Sequence, residues 1–151
     1  MRISLFVATA LSFAVLTQSA VAEMIRKVSP HTVTVTIDRL EAAVKGAGAT
    51  VFARVDHAKG AASVNTDLRA TQMLMFGNPA LGTPAMLDGQ TAGLDLPLRV
   101  LAYESNDGVV NVVYHAPSSF AETHGLPLSA EYLKKMTGAL NNLTNKAIAK
   151  E

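Results

Sequence analysis

Three groups of side chains carry whatever chemistry this chain can do. The first is Asp56-His57, a carboxylate next to an imidazole. The second is a set of thioethers and imidazoles, Met73, Met75 and Met86 with His57, His115 and His124. The third is a glycine- and proline-rich stretch, Phe76-Gly77-Asn78-Pro79 followed by Gly82-Thr83-Pro84, with Arg69 and Arg99 as nearby cations.

His57 can act as a general base only with a nucleophile and an orienting group in hydrogen-bond reach. On a strand Asp56 and His57 point to opposite faces, so the two meet only where the chain turns. Ser63 and Thr71 are the nearest hydroxyls in sequence, and neither sits in a nucleophile motif such as GxSxG. The thioether and imidazole set suits copper. However, there is no HxxxH, HxxE or Met-x-x-Met pattern, and methionine readily fills cores. No metal is assigned. With no phosphate loop and no dinucleotide fingerprint, no cofactor is assigned either.

The glycine and proline turns offer a third chemistry. Gly77 and Gly82 permit close backbone approach, and Asn78 and Thr83, with the turn amides, could meet an anion or a carbonyl. Arg69 or Arg99 would add a planar, charge-assisted contact. The structural alternative is that Asn78-Pro79 caps the strand, Gly82-Thr83-Pro84 starts a helical turn, and Arg69 pairs with Asp67 or a carbonyl.

Positioning such a site falls to one domain. Met1-Arg2, the uncharged apolar run Ile3–Leu16 and the Ala20-Val21-Ala22 site form the three regions of a secretory signal peptide, so residues 1–22 are expected to be removed. Residues 23–151 then make a single domain in the periplasm or outside the cell. There is no cysteine, which excludes disulfides, thiolate metal sites and cysteine nucleophiles. Without Arg2 the 13 basic residues become 12 against 12 acidic ones, a formal charge of zero. No block of like charge stands out, which argues against nucleic acid and, after signal cleavage, against a membrane surface.

The periodicity gives the elements. Met24–Val28 reads as a short edge strand stopped by Ser29-Pro30. Val33, Ile37, Leu40 and Val44 form a helical stripe, so a helix is expected from about Val33 to Lys45, capped by Thr32 and stopped by Gly46 or Gly48. In Thr50–His57, Val51, Ala53 and Val55 are expected on one face and Phe52, Arg54 and Asp56 on the other. Ala58–Val64 suits a short helix. Met73–Phe76 is apolar on both faces and reads as an interior strand, Pro79–Leu87 as turn-rich and Asp88–Gly93 as a polar loop. Leu98–Glu104 and Val109–His115 flank Ser105-Asn106-Asp107-Gly108 as an antiparallel hairpin. Pro117–Pro127 is expected to be a loop. Leu133, Met136, Leu140, Leu143 and Ala147 form the stripe of a long helix with Ser129 as its cap. The order β-α-β-β-β-β-α describes an α+β domain, an antiparallel sheet of four or five strands with helices on one face.

Asp56-His57, Asp67-Leu68-Arg69, the FGNP and GTP turns of Phe76–Met86, and LDLPLRVL at Leu94–Leu101 together resemble the domain-of-unknown-function family 302. The resemblance covers essentially the whole chain after the leader. It implies a TATA-binding-protein-like α+β arrangement, often as a homodimer, and no established activity. Asn65 and Ala70 stand where the family often has glycine and proline, and Gln72 and Met73 where glutamate and leucine are more usual.

The reading favoured by these residues is a non-enzymatic exported module, often dimeric, that holds an unidentified small molecule. Its candidate contacts are His57, Arg69, Phe76, Gly77, Asn78, Pro79, Gly82, Thr83 and Pro84. One alternative is a hydrolase or isomerase with His57 as base, helped by Asp56 or Thr83. The other is a purely structural or dimerising role for the FGNP and GTP motif.

Overall fold

A computed structural model describes residues 23–150, so the expected leader lies outside the described residues. In chain order the elements are β1 (Met24–Ser29), α1 (Val33–Gly46), β2 (Thr50–Asp56), α2 (His57–Ala62), β3 (Thr71–Gly77), α3 (Pro79–Asp88), a short 3-10 helix (Gln90–Leu94), β4 (Leu98–Glu104), β5 (Val110–His115), α4 (Pro117–His124) and α5 (Glu131–Ile148). The expected α+β order holds, with three further α-helices and the 3-10 helix inserted. The sheet has five strands in the order β1-β5-β4-β3-β2, and every pairing is antiparallel.

Alternation decides which side of this sheet is buried. In β3, Gln72, Leu74 and Phe76 are buried while Met73 and Met75 are only half-buried. Their cross-strand partners follow suit: Leu74 sits opposite Val100 and Phe76 opposite Leu98 on the covered face, whereas Met73 sits opposite Leu101 and Met75 opposite Arg99 on the other. Helices α1 and α5 pack on the covered face and on each other. The stripe Val33, Ile37, Leu40 and Val44 meets Leu133, Met136, Leu140, Leu143 and Ala147 in one core. β3 is an interior strand, as its apolar character on both faces requires.

The caps explain where the elements begin and end. Thr32 Oγ1 accepts the Val35 amide at 3.3 Å to start α1. Asp56 Oδ1 accepts the Lys59 amide at 2.9 Å, so the aspartate, and not His57, caps α2. Asn65 occupies the left-handed region at φ 55°, which asparagine tolerates better than most residues.

Four sequence expectations are corrected. The clean alternation of β2 is broken by a bulge between Val51 and Ala53, so Val51 lies opposite Phe76 on the covered face while Ala53 and Val55 lie opposite Met75 and Met73 on the open one. The expected loop over residues 117–127 contains α4, because Pro117 fits the first helical turn and Gly125, at φ 67°, is its left-handed stop. The polar loop over residues 88–93 gives way to the 3-10 helix. Ser129 does not cap α5, whose cap position is Ala130 with no side-chain hydrogen bond.

Phe76 is 2% exposed against the helices. Phe76→Ala should therefore cost about 3–5 kcal/mol in urea unfolding, the usual range for emptying an aromatic core site. A second check concerns pH. Tyr132 Oη donates to Asp88 Oδ2 at 2.8 Å and ties α5 to the end of α3. Burial first, then the hydrogen bond to Asp88 and its negative charge, push the phenol up to about 12 from 10. Because the folded value lies above the unfolded one, this contribution is complete below pH 10 and is lost as pH rises toward about 12. Unfolding midpoints measured through that window should fall more steeply for the wild type than for Tyr132→Phe.

Candidate functional site

The FGNP stretch is the junction between β3 and α3. Gly77 ends the strand beside Pro97 and Phe52: a Cβ there would make ordinary contacts with Pro97 Cβ at 3.5 Å and Phe52 Cε2 at 3.6 Å. Asn78 is extended and its Oδ1 accepts the Ala80 amide at 2.9 Å, while Pro79 takes the first helical turn, where a missing N–H costs nothing. Gly82-Thr83-Pro84 is no second turn. It lies inside α3.

This junction consumes the donors that the sequence reading offered to an anion. The Leu81 and Gly82 amides both donate to Asn78 O, at 2.9 and 3.0 Å, and the Ala80 amide is capped. What the junction builds instead is an apolar cavity of about 250 Å³. Gly77, Asn78, Pro79, Gly82 and Thr83 line one side of it. Phe52, Leu81, Met86, Leu96, Pro97, Leu98 and Met136 supply most of the remaining wall. Phe52, on its wall, is 58% exposed.

The structure therefore divides the expected site residues. Gly77, Asn78, Pro79, Gly82 and Thr83 come together. Phe76 faces the core, and Pro84 sits within α3 outside the cavity wall. Arg69 and His57 do not converge on the motif. Asp56, just before His57, pairs with Gln72, whereas Thr50 pairs with Gly77 at the opposite end of the same two strands. Across the seven residues of β3 that is a separation of roughly 20 Å. Arg69 lies before β3, where its Nε donates to Glu104 O at 3.0 Å. His57 is exposed at the start of α2, lines neither cavity, and its ring has no hydrogen-bond partner among the described residues.

Beside Asp56 lies a polar cluster that explains Gln72. Its Oε1 accepts Arg54 Nε and Nη2 at 3.1 and 2.7 Å, and its Nε2 donates to Asp56 Oδ2 and Thr34 Oγ1, both at 3.3 Å. A neutral amide can both accept and donate here, joining β2, β3 and α1.

A second cavity, of about 230 Å³, adjoins the first and was not foreseen. Leu98, Phe120 and Leu140 form its apolar surface, and Asp95, Arg99, His115, Ser119 and Thr123 supply polar groups. Leu98 lines both cavities. Met136 and Leu140, one turn apart on α5, back them in turn. Arg99 donates through Nη2 to Leu94 O. The side chain of His124, 6% exposed, bridges Asp95 Oδ2 at 2.8 Å and Thr91 Oγ1 at 3.0 Å.

That bridge has the connectivity of a hydroxyl, a base and an orienting carboxylate, but with its ends reversed for catalysis. The carboxylate faces the cavity and the Thr91 hydroxyl lies outside both cavities. Its role is a staple between the 3-10 helix and α4. Gly89 shows how close those segments run, since a Cβ there would lie 2.7 Å from Leu126 Cδ2 and 3.0 Å from His124 O. Among the described residues, no three His, Cys, Asp or Glu side chains gather as a metal-binding group.

The signals that could have located these cavities were the exposed apolar residues around LDLPLRVL and the adjacent α5 positions Met136 and Leu140. A stripe fit to bury in a core gives no hint in sequence that two of its members back a cavity.

Comparisons with known proteins bear on this fold and motif. The chain is 41% identical over 120 residues to proteins named fluoride-specific ion channel FluC 1 in Brucella suis biovar 1 (strain 1330) and in Brucella abortus biovar 1 (strain 9-941). The match covers 79% of this chain but 47% and 44% of theirs, so the chain spans less than half the length of those relatives. Among solved structures, the crystal structure of an uncharacterized conserved protein DUF302 from Bacillus stearothermophilus superposes with a TM-score of 0.73 at 18% identity, covering 82% of this chain and 97% of that one. That likeness establishes the shared fold. The model for "Domain of unknown function DUF302" matches residues 25–143, and the chain belongs to that family.

Proposed function

We propose that the domain is a non-enzymatic small-ligand-binding module whose ligand enters the apolar cavity beside the FGNP and GTP motif. The observation that carries this is the cavity's make-up: three glycines, Gly77, Gly82 and Gly93, leave space that Phe52, Met86, Leu96 and Met136 surround with apolar atoms. Concave, mostly apolar sites with a few polar groups are the usual form of small-molecule sites. The ligand class shifts accordingly from the anion or carbonyl expected of Asn78 and Thr83 to an apolar group. Two of the cavity's wall residues, Phe52 at 58% and Met86 at 37% exposed, leave apolar surface open to solvent, which supports the same reading.

The channel name belongs to the longer relatives. Among the described residues of this chain no helix is long and apolar enough to cross a membrane. On the signal-peptide reading the ligand is met outside the cytoplasm. Processing after Ala22 would make the Glu23 nitrogen, which donates to Ser119 Oγ at 2.7 Å, an α-ammonium held at the second cavity. A homodimer is also proposed, through the open sheet face. That face carries the half-buried Met73, Met75, Leu101 and Tyr103, with Arg26 5.9 Å from the Tyr103 ring centroid. Met75→Glu should then halve the molar mass in light scattering, and an unchanged mass would count against it.

The ligand reading is tested at Gly82. A Cβ there meets only Leu96 Cδ1, at 3.6 Å, so larger side chains project into the cavity without striking backbone. Gly82→Ala should fold and gain up to about 1 kcal/mol from helix propensity. Gly82→Leu should fill the cavity and abolish the thermal-shift response to decan-1-ol, a simple apolar probe. A wild-type protein that folds and gives no response to apolar probes would overturn the proposal.

A further inference from the structure

Resting on the ligand-binding reading, we infer that the two cavities are halves of one amphipathic site, divided by Leu98, that takes a carboxylate with an aliphatic tail. The tail lies in the apolar cavity and the carboxylate in the polar one.

Size is the first reason. At about 250 and 230 Å³ each cavity alone falls below the range of roughly 300–1,000 Å³ typical of small-molecule sites, and the pair together falls within it. Leu98 belongs to both walls, so its side chain is the one that would have to turn aside for them to join.

Charge is the second. Two cationic candidates and one carboxylate line the polar half. The carboxylate, Asp95, is already engaged by His124 Nε2 at 2.8 Å. Arg99 starts on the open side of β4, but its Nη2 reaches the Leu94 carbonyl beside the cavity; among the described residues that is its one acceptor, which leaves a fork for a bidentate carboxylate. The His115 ring has no hydrogen-bond partner among the described residues. Ser119 and Thr123 stand on the same wall. Ser119 Oγ already accepts from the Glu23 nitrogen and Thr123 Oγ1 donates to Ser119 O, so the Arg99 fork is the charged group with most capacity left, which selects an acid over an amine. The apolar half offers little to a second charge, which selects a tail over a dicarboxylate.

Calorimetric titration of the full chain with butyrate, decanoate, decan-1-ol and decylamine separates the outcomes. Decanoate should bind tightest, with affinity rising about fourfold per added CH₂ between butyrate and decanoate. Arg99→Gln should reduce decanoate to the level of decan-1-ol, with His115→Gln intermediate and circular dichroism unchanged. Gly82→Leu should reduce decanoate to the level of butyrate. Equal binding of decanoate and decan-1-ol would overturn the carboxylate assignment and leave the apolar ligand reading standing. Equal binding of butyrate and decanoate, or tighter binding of decylamine, would overturn the joined site. Failure of every probe in a folded protein would overturn both readings.

Discussion

The packing of α5 across the sheet is the constraint on which the rest depends. A five-stranded sheet with one covered face needs two helices to bury it, and α1 and α5 supply them side by side. Their width does not reach the end where β3 leaves the sheet and β4 enters it. There the chain closes the gap with α3 and the 3-10 helix, which are built from glycine, proline and alanine as much as from large apolar residues. Small residues cannot fill the space beneath them. Met136 and Leu140 stay as the floor, and the space becomes the two cavities.

That account gives each part of the motif a physical job. Gly77 ends β3 next to Pro97 and Phe52 on the cavity wall, and Asn78 satisfies the first amide of α3. Gly82 leaves the wall open opposite Leu96. Phe76, one residue before, faces the core and anchors the strand from which the rest projects. The motif is therefore partly a cap and partly a cavity wall, and the two roles fall on different atoms of neighbouring residues. The cap uses Oδ1 of Asn78 and backbone amides, so polar recognition has to come from elsewhere. Arg99 and His115, on the next strands, hold the donors that remain.

Much of the fold was legible because long periodic stripes leave few choices. The helix over Val33–Gly46 prevailed over six residues of strand propensity because its stripe ran on to Val44, and the hairpin of β4 and β5 followed from Asn106-Asp107-Gly108 between two alternating runs. The misses have local causes. A bulge in β2 is invisible to an alternation pattern, and Pro117 and Gly125 serve equally as loop punctuation or as the start and stop of α4. In the site, neighbours in sequence were found, Arg99 among them as a cation near the motif, while most neighbours in space were not. His57 and Arg69 looked near the motif along the chain, yet antiparallel pairing sends them to the far end of β3. Arg99 and His115 line the second cavity and Met136 the first, from three later elements whose grouping appears only after folding.

The methionines allow one direct test of the central claim that the motif encloses an apolar ligand cavity. Met86 and Met136 line it, while Met73 and Met75 lie on the open face of the sheet. Methyl NMR during a titration with decan-1-ol should show saturable shifts at Met86 and Met136, with Met73 and Met75 unmoved. Saturable shifts confined to Met73 and Met75, or no saturable shift at any of the four, would contradict it.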